Sequence, residues 1–280
     1  MKKKYVIPVF VPHLGCPNDC VFCNQKSISG QKKNITKEEM NIKEFFEKYP
    51  NVAIALSGGV DSVFLVYMAK KYAKSVKAYF VKSVFQPEFE KKDAEKICRQ
   101  LGVDLNVLSN KLVTDNPVNR CYYCKQGVFG TILEAAKNDG MTVILDGTNA
   151  SDDADDRPGM KALQEMKVLS PLRMCGYVKS EIRKQSKEAG LFVYNKPSYA
   201  CLATRIPTGT EIDEEKIKQV ETAETFLFDL GFSDFRVRWM DNKAKIQMPE
   251  SRLQALMEKR EIVLEELSKI FDEVLLDLRT

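Results

Sequence analysis

The stretch VAIALSGGVDSVFLVYMAKKYA, residues 52–73, constrains the fold more than any other part of this 280-residue chain. An apolar run too short for a buried helix ends at a serine and two glycines, then passes into apolar residues at helical spacing. The pattern predicts a buried strand, a tight turn and a helix. A strand buried on both faces belongs in a parallel sheet covered by helices. At the turn, SGGVDS, the glycines let the backbone approach a ligand closely. Ser57 and Ser62 add hydroxyls, and the start of the following helix favours an anion. No Gly-Lys-Ser/Thr follows, so this is not a Walker A loop.

The flanking segments repeat the alternation. VKAYFVKS reads as strand, FEKKDAEKICRQLG as a helix closed by Gly102 and DLNVLS as strand. A helix near 125–138 leads to the strand TVILDGTN, and YVKSEIRKQSKEAG is a further helix ending at glycine. The expected fold class is α/β, a doubly wound, mostly parallel sheet with its site at the carboxyl ends of the strands. After CLATRIPTGTEI the rhythm changes to a long helix (213–230), strands FRVRWM and KAKIQM, a helix over 250–270 and a last strand EVLLDL. This predicts a small C-terminal α+β domain. Residues 1–40 read as an appendage with a strand at Tyr5–Val11. TKEE at 36–39 forms a capping box for a helix reaching about Lys48. The expected divisions are 1–40, 41–205 and 206–280.

Charge is informative once located. Seven lysines against three acidic residues in 1–40 carry the whole net charge of +4, so the remaining 240 residues balance to zero. A body without basic excess argues against a nucleic-acid partner and for a small-molecule substrate. MKKKYVIPVFVP starts like a secretory signal, but two prolines interrupt its short apolar run and no small-residue cleavage site follows. No stretch approaches the length of a membrane span. The expected location is cytoplasmic, and a homo-oligomer is left open.

Eight cysteines are present. Cys121 and Cys124 in RCYYCK, with Cys201 far along the chain, make a poor structural zinc site: three thiolates leave one position open, and His13 is the only histidine. Three cysteines suit a cubane iron–sulfur cluster with one iron lacking a protein ligand; alternatively the pair is packed or redox-active and Cys201 acts alone. Cys98 lies on an apolar helical face and reads as core. Cys16, Cys20 and Cys23 form a second group, CxxxCxxC, in GCPNDCVFC. In DGTNASDD, at the end of a predicted strand, Asp146 and Asn149 are candidate ligands for nucleotide or Mg²⁺, with a turn-and-cap role nearly as well supported.

SGGVDS resembles the loop of the PP-loop ATP pyrophosphatases, which holds the pyrophosphate of ATP while the α-phosphate is attacked. Beyond the loop, NRCYYCK, LDGTNASDDADDRPGMKAL, SPL, KPSYACLATRIPTGTEI and FRVRW resemble the LarE-type ATP-dependent sulfur transferases. That resemblance implies adenylation of a carboxylate on a pyridinium biscarboxylate mononucleotide, followed by sulfur insertion during nickel-pincer nucleotide synthesis. It implies ATP binding by Ser57, Gly58, Gly59, Asp61 and Ser62, with Asp61 positioning Mg²⁺. The residue matching Cys201 either surrenders its own sulfur or joins those matching Cys121 and Cys124 on a [4Fe–4S] cluster carrying an extra sulfide. Having all three, this chain is expected to use the cluster, resupplied by sulfide or another sulfur donor. Arg205, Arg236 and Arg238 are expected to grip substrate phosphate and carboxylates, against a surface ion-pair role for Arg236 and Arg238. The chain departs from the family at Trp239, Met240 and Asp241, where histidine and glycine are usual, and at Gln247, near an expected glutamate. VFVPHLGCPNDCVFCNQ, residues 9–25, resembles the opening of radical SAM enzymes, but no barrel follows. A tRNA thiolation enzyme is the rival reading, and a non-catalytic iron–sulfur carrier a third.

Overall fold

The computed structural model describes residues 41–110, 115–152 and 158–278. The expected strand at Tyr5–Val11, the TKEE cap and the thiols of Cys16, Cys20 and Cys23 lie outside the described residues. Helix α1, Ile42–Lys48, opens with a capping box of its own: the Asn41 side chain accepts from the Lys43 N–H at 3.0 Å and Glu44 accepts from the Asn41 N–H at 3.2 Å.

Strand β1 (Asn51–Ala55) leads through the glycine turn to α2 (Val60–Tyr72); β2 (Ser75–Lys82), α3 (Glu88–Leu101) and β3 (Asp104–Ser109) follow. Next come α4 (Arg120–Asn138), β4 (Val143–Leu145), α5 (Pro158–Glu165), α6 (Pro171–Met174) and α7 (Lys179–Glu188). The first sheet is parallel throughout, in the order β3-β2-β1-β4. Val52, Ala53 and Ile54 of β1 are fully buried, and α2 is apolar nearly all round because it is enclosed. The strand order reverses between β1 and β4. Their connections leave on opposite sides there and open a crevice beyond their carboxyl ends.

Two 3₁₀ turns, Phe192–Asn195 and Leu202–Arg205, join this layer to α8 (Glu214–Asp229), β5 (Arg236–Met240), β6 (Lys243–Gln247), α9 (Glu250–Glu258), α10 (Arg260–Leu267) and β7 (Glu273–Leu276). The second sheet runs β5-β6-β7, antiparallel then parallel. Its apolar cluster includes Leu202, Ala203 and Ile206 and reaches back to Phe85. Both sheets belong to one compact unit, Asn41–Thr280.

Two differences from expectation have local causes. The single helix expected over 250–270 breaks at Lys259, whose φ of −102° leaves the helical range while its ammonium donates to the Leu230 carbonyl at 2.6 Å and lies over the Phe232 ring. Helix α4 begins at Arg120 rather than near 125, so Cys121 and Cys124 stand on its first two turns. Among the described residues no helix is long and apolar enough to cross a membrane.

Candidate active site

The glycine turn is built against α3. Gly58 has φ +76°, and a Cβ there would sit 2.7 Å from the Glu90 carbonyl oxygen. Left-handed geometry and backbone contact both require glycine. The loop is closed by its serines: the Ser57 N–H donates to Ser62 Oγ at 3.1 Å, the two hydroxyls stand 3.0 Å apart, and Ser62 Oγ donates to the Gly59 carbonyl at 3.1 Å. Gly147, after β4, lets the next strand end pack on the loop; a Cβ there would meet Ser62 N at 2.8 Å.

A cleft of about 310 Å³ opens at this point. Ser57, Asp61, Ser62 and Thr148 form its polar end, Phe80, Val81 and Phe129 its apolar wall, and Lys125 of α4 also lines it. One carboxylate oxygen of Asp61 lies 2.5 Å from Lys179 Nζ at the start of α7; the other is buried without a hydrogen-bond partner. A buried, unmatched carboxylate oxygen beside a phosphate-shaped turn fits a hard divalent cation.

Of the two ligand candidates, Asp146 lines the cleft and Asn149 is buried, and both are engaged by hydrogen bonds within the protein. Asp146 accepts from Thr148 Oγ1 and from Ser170 Oγ, each at 2.5 Å. Asn149 Oδ1 accepts from the Ser151 N–H at 2.8 Å, and its own N–H donates to Asp152 at 3.0 Å. The geometry favours the turn-and-cap alternative, in which both residues shape the rim. Sequence reasoning missed Lys179 and Lys196. The latter bonds Asp93 at 2.6 Å and the Gly58 carbonyl at 3.1 Å, tying the loop to α3. The YVKSE helix start was the available signal for Lys179. Beneath the loop, burial pushes the Glu90 carboxyl up to about 7, against the opposing pull of Lys196.

The three cysteines come from two elements that meet. Cys121 is exposed, and Cys124 and Cys201 are partly buried. Cys124 and Cys201 pack against the same apolar cluster, while Cys121 is near enough to raise the Cys201 thiol. Burial is the main reason that thiol lies above its ordinary range; the Arg120 guanidinium pulls the other way. Arg120 was missed by sequence reasoning. It is buried, and its Nη1 donates to the Ala203 carbonyl at 3.2 Å, two residues past Cys201. Among the described residues no group of three or more Cys, His, Asp or Glu side chains is gathered tightly enough for a single metal ion. Three thiolates are the soft donors that an iron–sulfur cluster takes.

The arginines line a second cleft, of about 450 Å³, with Tyr199, Ser198, Phe228 and Gln247. They are not equivalent. Arg205 is 1% exposed; its Nε and Nη2 reach the two Glu224 oxygens at 2.7 and 3.0 Å, and Nη1 reaches Thr204 Oγ1 at 2.9 Å and the Ala200 carbonyl at 3.2 Å. These contacts engage the expected substrate grip of Arg205 within the protein. Arg238 donates to Gln247 Oε1 at 2.5 Å and to the Thr204 carbonyl at 2.7 Å. The Arg236 side chain is exposed and makes no hydrogen bond or ion pair with the described residues. Alternation on β5 sends Val237 and Trp239 into the core, where Trp239 Nε1 donates to Gln219 at 3.0 Å. The tryptophan is therefore a core residue.

A nucleotide-sized cleft above a serine–glycine turn at a strand-order reversal defines a PP-loop protein, and a PP-loop domain model matches residues 32–156. An uncharacterized Synechocystis protein, slr1717, is 35% identical over 78% of this chain and 84% of its own length. A pyridinium-3,5-bisthiocarboxylic acid mononucleotide synthase from Lactiplantibacillus plantarum is 32% identical over 72% of this chain and 76% of its own. The tRNA-specific 2-thiouridylase of Thermotoga maritima is 27% identical over 52% of this chain and 54% of its own. The chain belongs to the LarE-type family of PP-loop proteins that includes the Lactiplantibacillus synthase.

Proposed function

We propose that the protein is a cytoplasmic, ATP-dependent sulfurtransferase that acts on a pyridinium biscarboxylate mononucleotide in nickel-pincer cofactor synthesis. The observation that carries the reading is the presence, in one compact unit, of the SGGVDS cleft and the sulfur-bearing Cys201 beside Cys121, in a chain 32% identical to a bisthiocarboxylic acid mononucleotide synthase.

In this reading Ser57, Gly58, Gly59 and Ser62 hold the β- and γ-phosphates of ATP at the start of α2. A substrate carboxylate oxygen attacks the α-phosphorus, the bond to the bridging oxygen breaks, and pyrophosphate leaves. The free oxygen of Asp61 would hold the Mg²⁺ that offsets charge on the polyphosphate, with Lys179 as a neighbouring cation. Asp146 and Asn149 shape the nucleotide rim. Arg236 and Arg238 orient the substrate phosphate and carboxylates, and Arg205, held by Glu224, keeps the Cys201 turn against the pocket.

Sulfur then displaces AMP from the activated carboxylate. Cys121, Cys124 and Cys201 would hold a [4Fe–4S] cluster, which supplies a transferable sulfide when bound. In the alternative, Cys201 gives up its own sulfur in a single turnover. Cys16, Cys20 and Cys23 are proposed as a second ligand set. Iron and acid-labile sulfide on the reconstituted chain test these assignments. About four irons, lost in Cys121→Ser, support the cluster, and an additional iron fraction lost on truncation to Asn41 supports the second set. An iron-free chain that still transfers sulfur points to sacrifice of Cys201.

The reaction is tested by AMP and pyrophosphate release on addition of MgATP and the biscarboxylate mononucleotide. Release that depends on this substrate and fails in Asp61→Asn supports the proposal. Release stimulated by tRNA instead would transfer the assignment to tRNA thiolation.

A further inference from the structure

The cysteines at the start of α4 and Cys201 are 77 or more residues apart in sequence, and a specific set of polar contacts holds their two segments together. Asn116 is fully buried, with φ +53°. Its Nδ2 donates to the carbonyls of Pro207 at 2.7 Å and Thr210 at 3.0 Å, and its own carbonyl accepts from the Gly209 N–H at 3.0 Å. Its Oδ1 accepts from Arg120 Nη1, which also donates to the Ala203 carbonyl at 3.2 Å. Two buried side chains just ahead of Cys121 thus bond backbone at 203, 207 and 210, the loop that begins at Cys201. A non-glycine residue in the left-handed region persists where its surroundings over-determine it. Here the side chain's contacts explain the conformation.

Resting on the three-cysteine reading above, we propose that Asn116 and Arg120 are positioning residues that set the spacing between the Cys121–Cys124 turn and Cys201. Neither supplies sulfur or touches the nucleotide cleft. They fix where the third thiol stands relative to the first two. Removing the Asn116 amide abolishes two bonds to the 207–210 loop and takes from the Arg120 guanidinium its side-chain acceptor, leaving it the Ala203 carbonyl. Helix α4 itself stays intact.

The test uses the full chain, freed of iron and reduced, treated with dibromobimane, and the bridged peptides are identified by mass spectrometry. Asn116→Gly keeps the left-handed backbone accessible and deletes only the side chain; Arg120→Lys keeps the charge and loses the guanidinium geometry. Cys121 and Cys124, at i and i+3 on one helix, provide an internal control. With its two bonds to the 207–210 loop lost, bridges from Cys121 or Cys124 to Cys201 should fall at least about tenfold in Asn116→Gly. The fall should be similar in Arg120→Lys, with the Cys121–Cys124 bridge and ATP binding retained in both. Unchanged Cys201 bridging in both folded variants would overturn the proposal. So would loss that merely parallels a lost unfolding transition, because the contacts would then serve general stability. Absence of any Cys201 bridge in the unsubstituted chain would instead refute the three-cysteine site, and the proposal with it.

Discussion

At the scale of single residues, backbone geometry sets the loop and burial sets its electrostatics. Gly58→Ala forces a left-handed alanine against the Glu90 carbonyl. We expect a loss of roughly 1–3 kcal/mol in stability and a severe loss of ATP affinity, measured by denaturant titration and calorimetry. Glu90 makes a pH prediction. Folded, it holds its proton to about pH 7; unfolded, only to the ordinary carboxylate range. Between those limits the folded chain binds the extra proton, so stability falls as pH rises through that window. Glu90→Gln should raise Tm at pH 8 and leave it nearly unchanged at pH 4. A rise at both pH values would show that Glu90 acts through packing instead.

At the scale of elements, Glu224 binds three of them together. From α8 it pairs with Arg205 on the Cys201 turn, accepts from the Tyr199 hydroxyl, and accepts from the Val237 N–H of β5 at 2.8 Å. Glu224→Ala leaves a buried guanidinium unpaired. The expected cost is about 3–5 kcal/mol in chemical denaturation, and Glu224→Gln should restore part of it. Legibility in the sequence follows the range of the interactions. The β1–turn–α2 unit was readable because glycine, serine and apolar period all act within a few residues. Strand alternation likewise put Arg236 and Arg238 on one face. The roles of Asp146 and Arg205 were not readable, because Ser170 and Glu224, which engage them, lie about twenty residues away. The sequence carries no sign that Arg120, just ahead of the CxxC pair, is buried, because its burial depends on the packing of α4 against the 203–210 loop. The break at Lys259 depends on a carbonyl from Leu230, beyond any helical period.

For the whole molecule, the proposed function divides the work between the two clefts and the cysteine site. On that proposal one cleft activates a carboxylate with ATP, the arginine-lined cleft holds the anionic substrate, and the Cys201 turn supplies sulfur. The division predicts separable defects. Arg236→Ala should raise KM for the mononucleotide with ATP affinity retained, whereas Cys201→Ser should still release pyrophosphate and yield no sulfur-containing product. The most direct test is mass spectrometry of the nucleotide product after incubation with MgATP, the biscarboxylate mononucleotide and a sulfide source. The account predicts a product in which sulfur has replaced a carboxylate oxygen, present with the unsubstituted chain and absent with Cys201→Ser. Consumption of ATP with no sulfur in the product, or an identical product from Cys201→Ser, would contradict it.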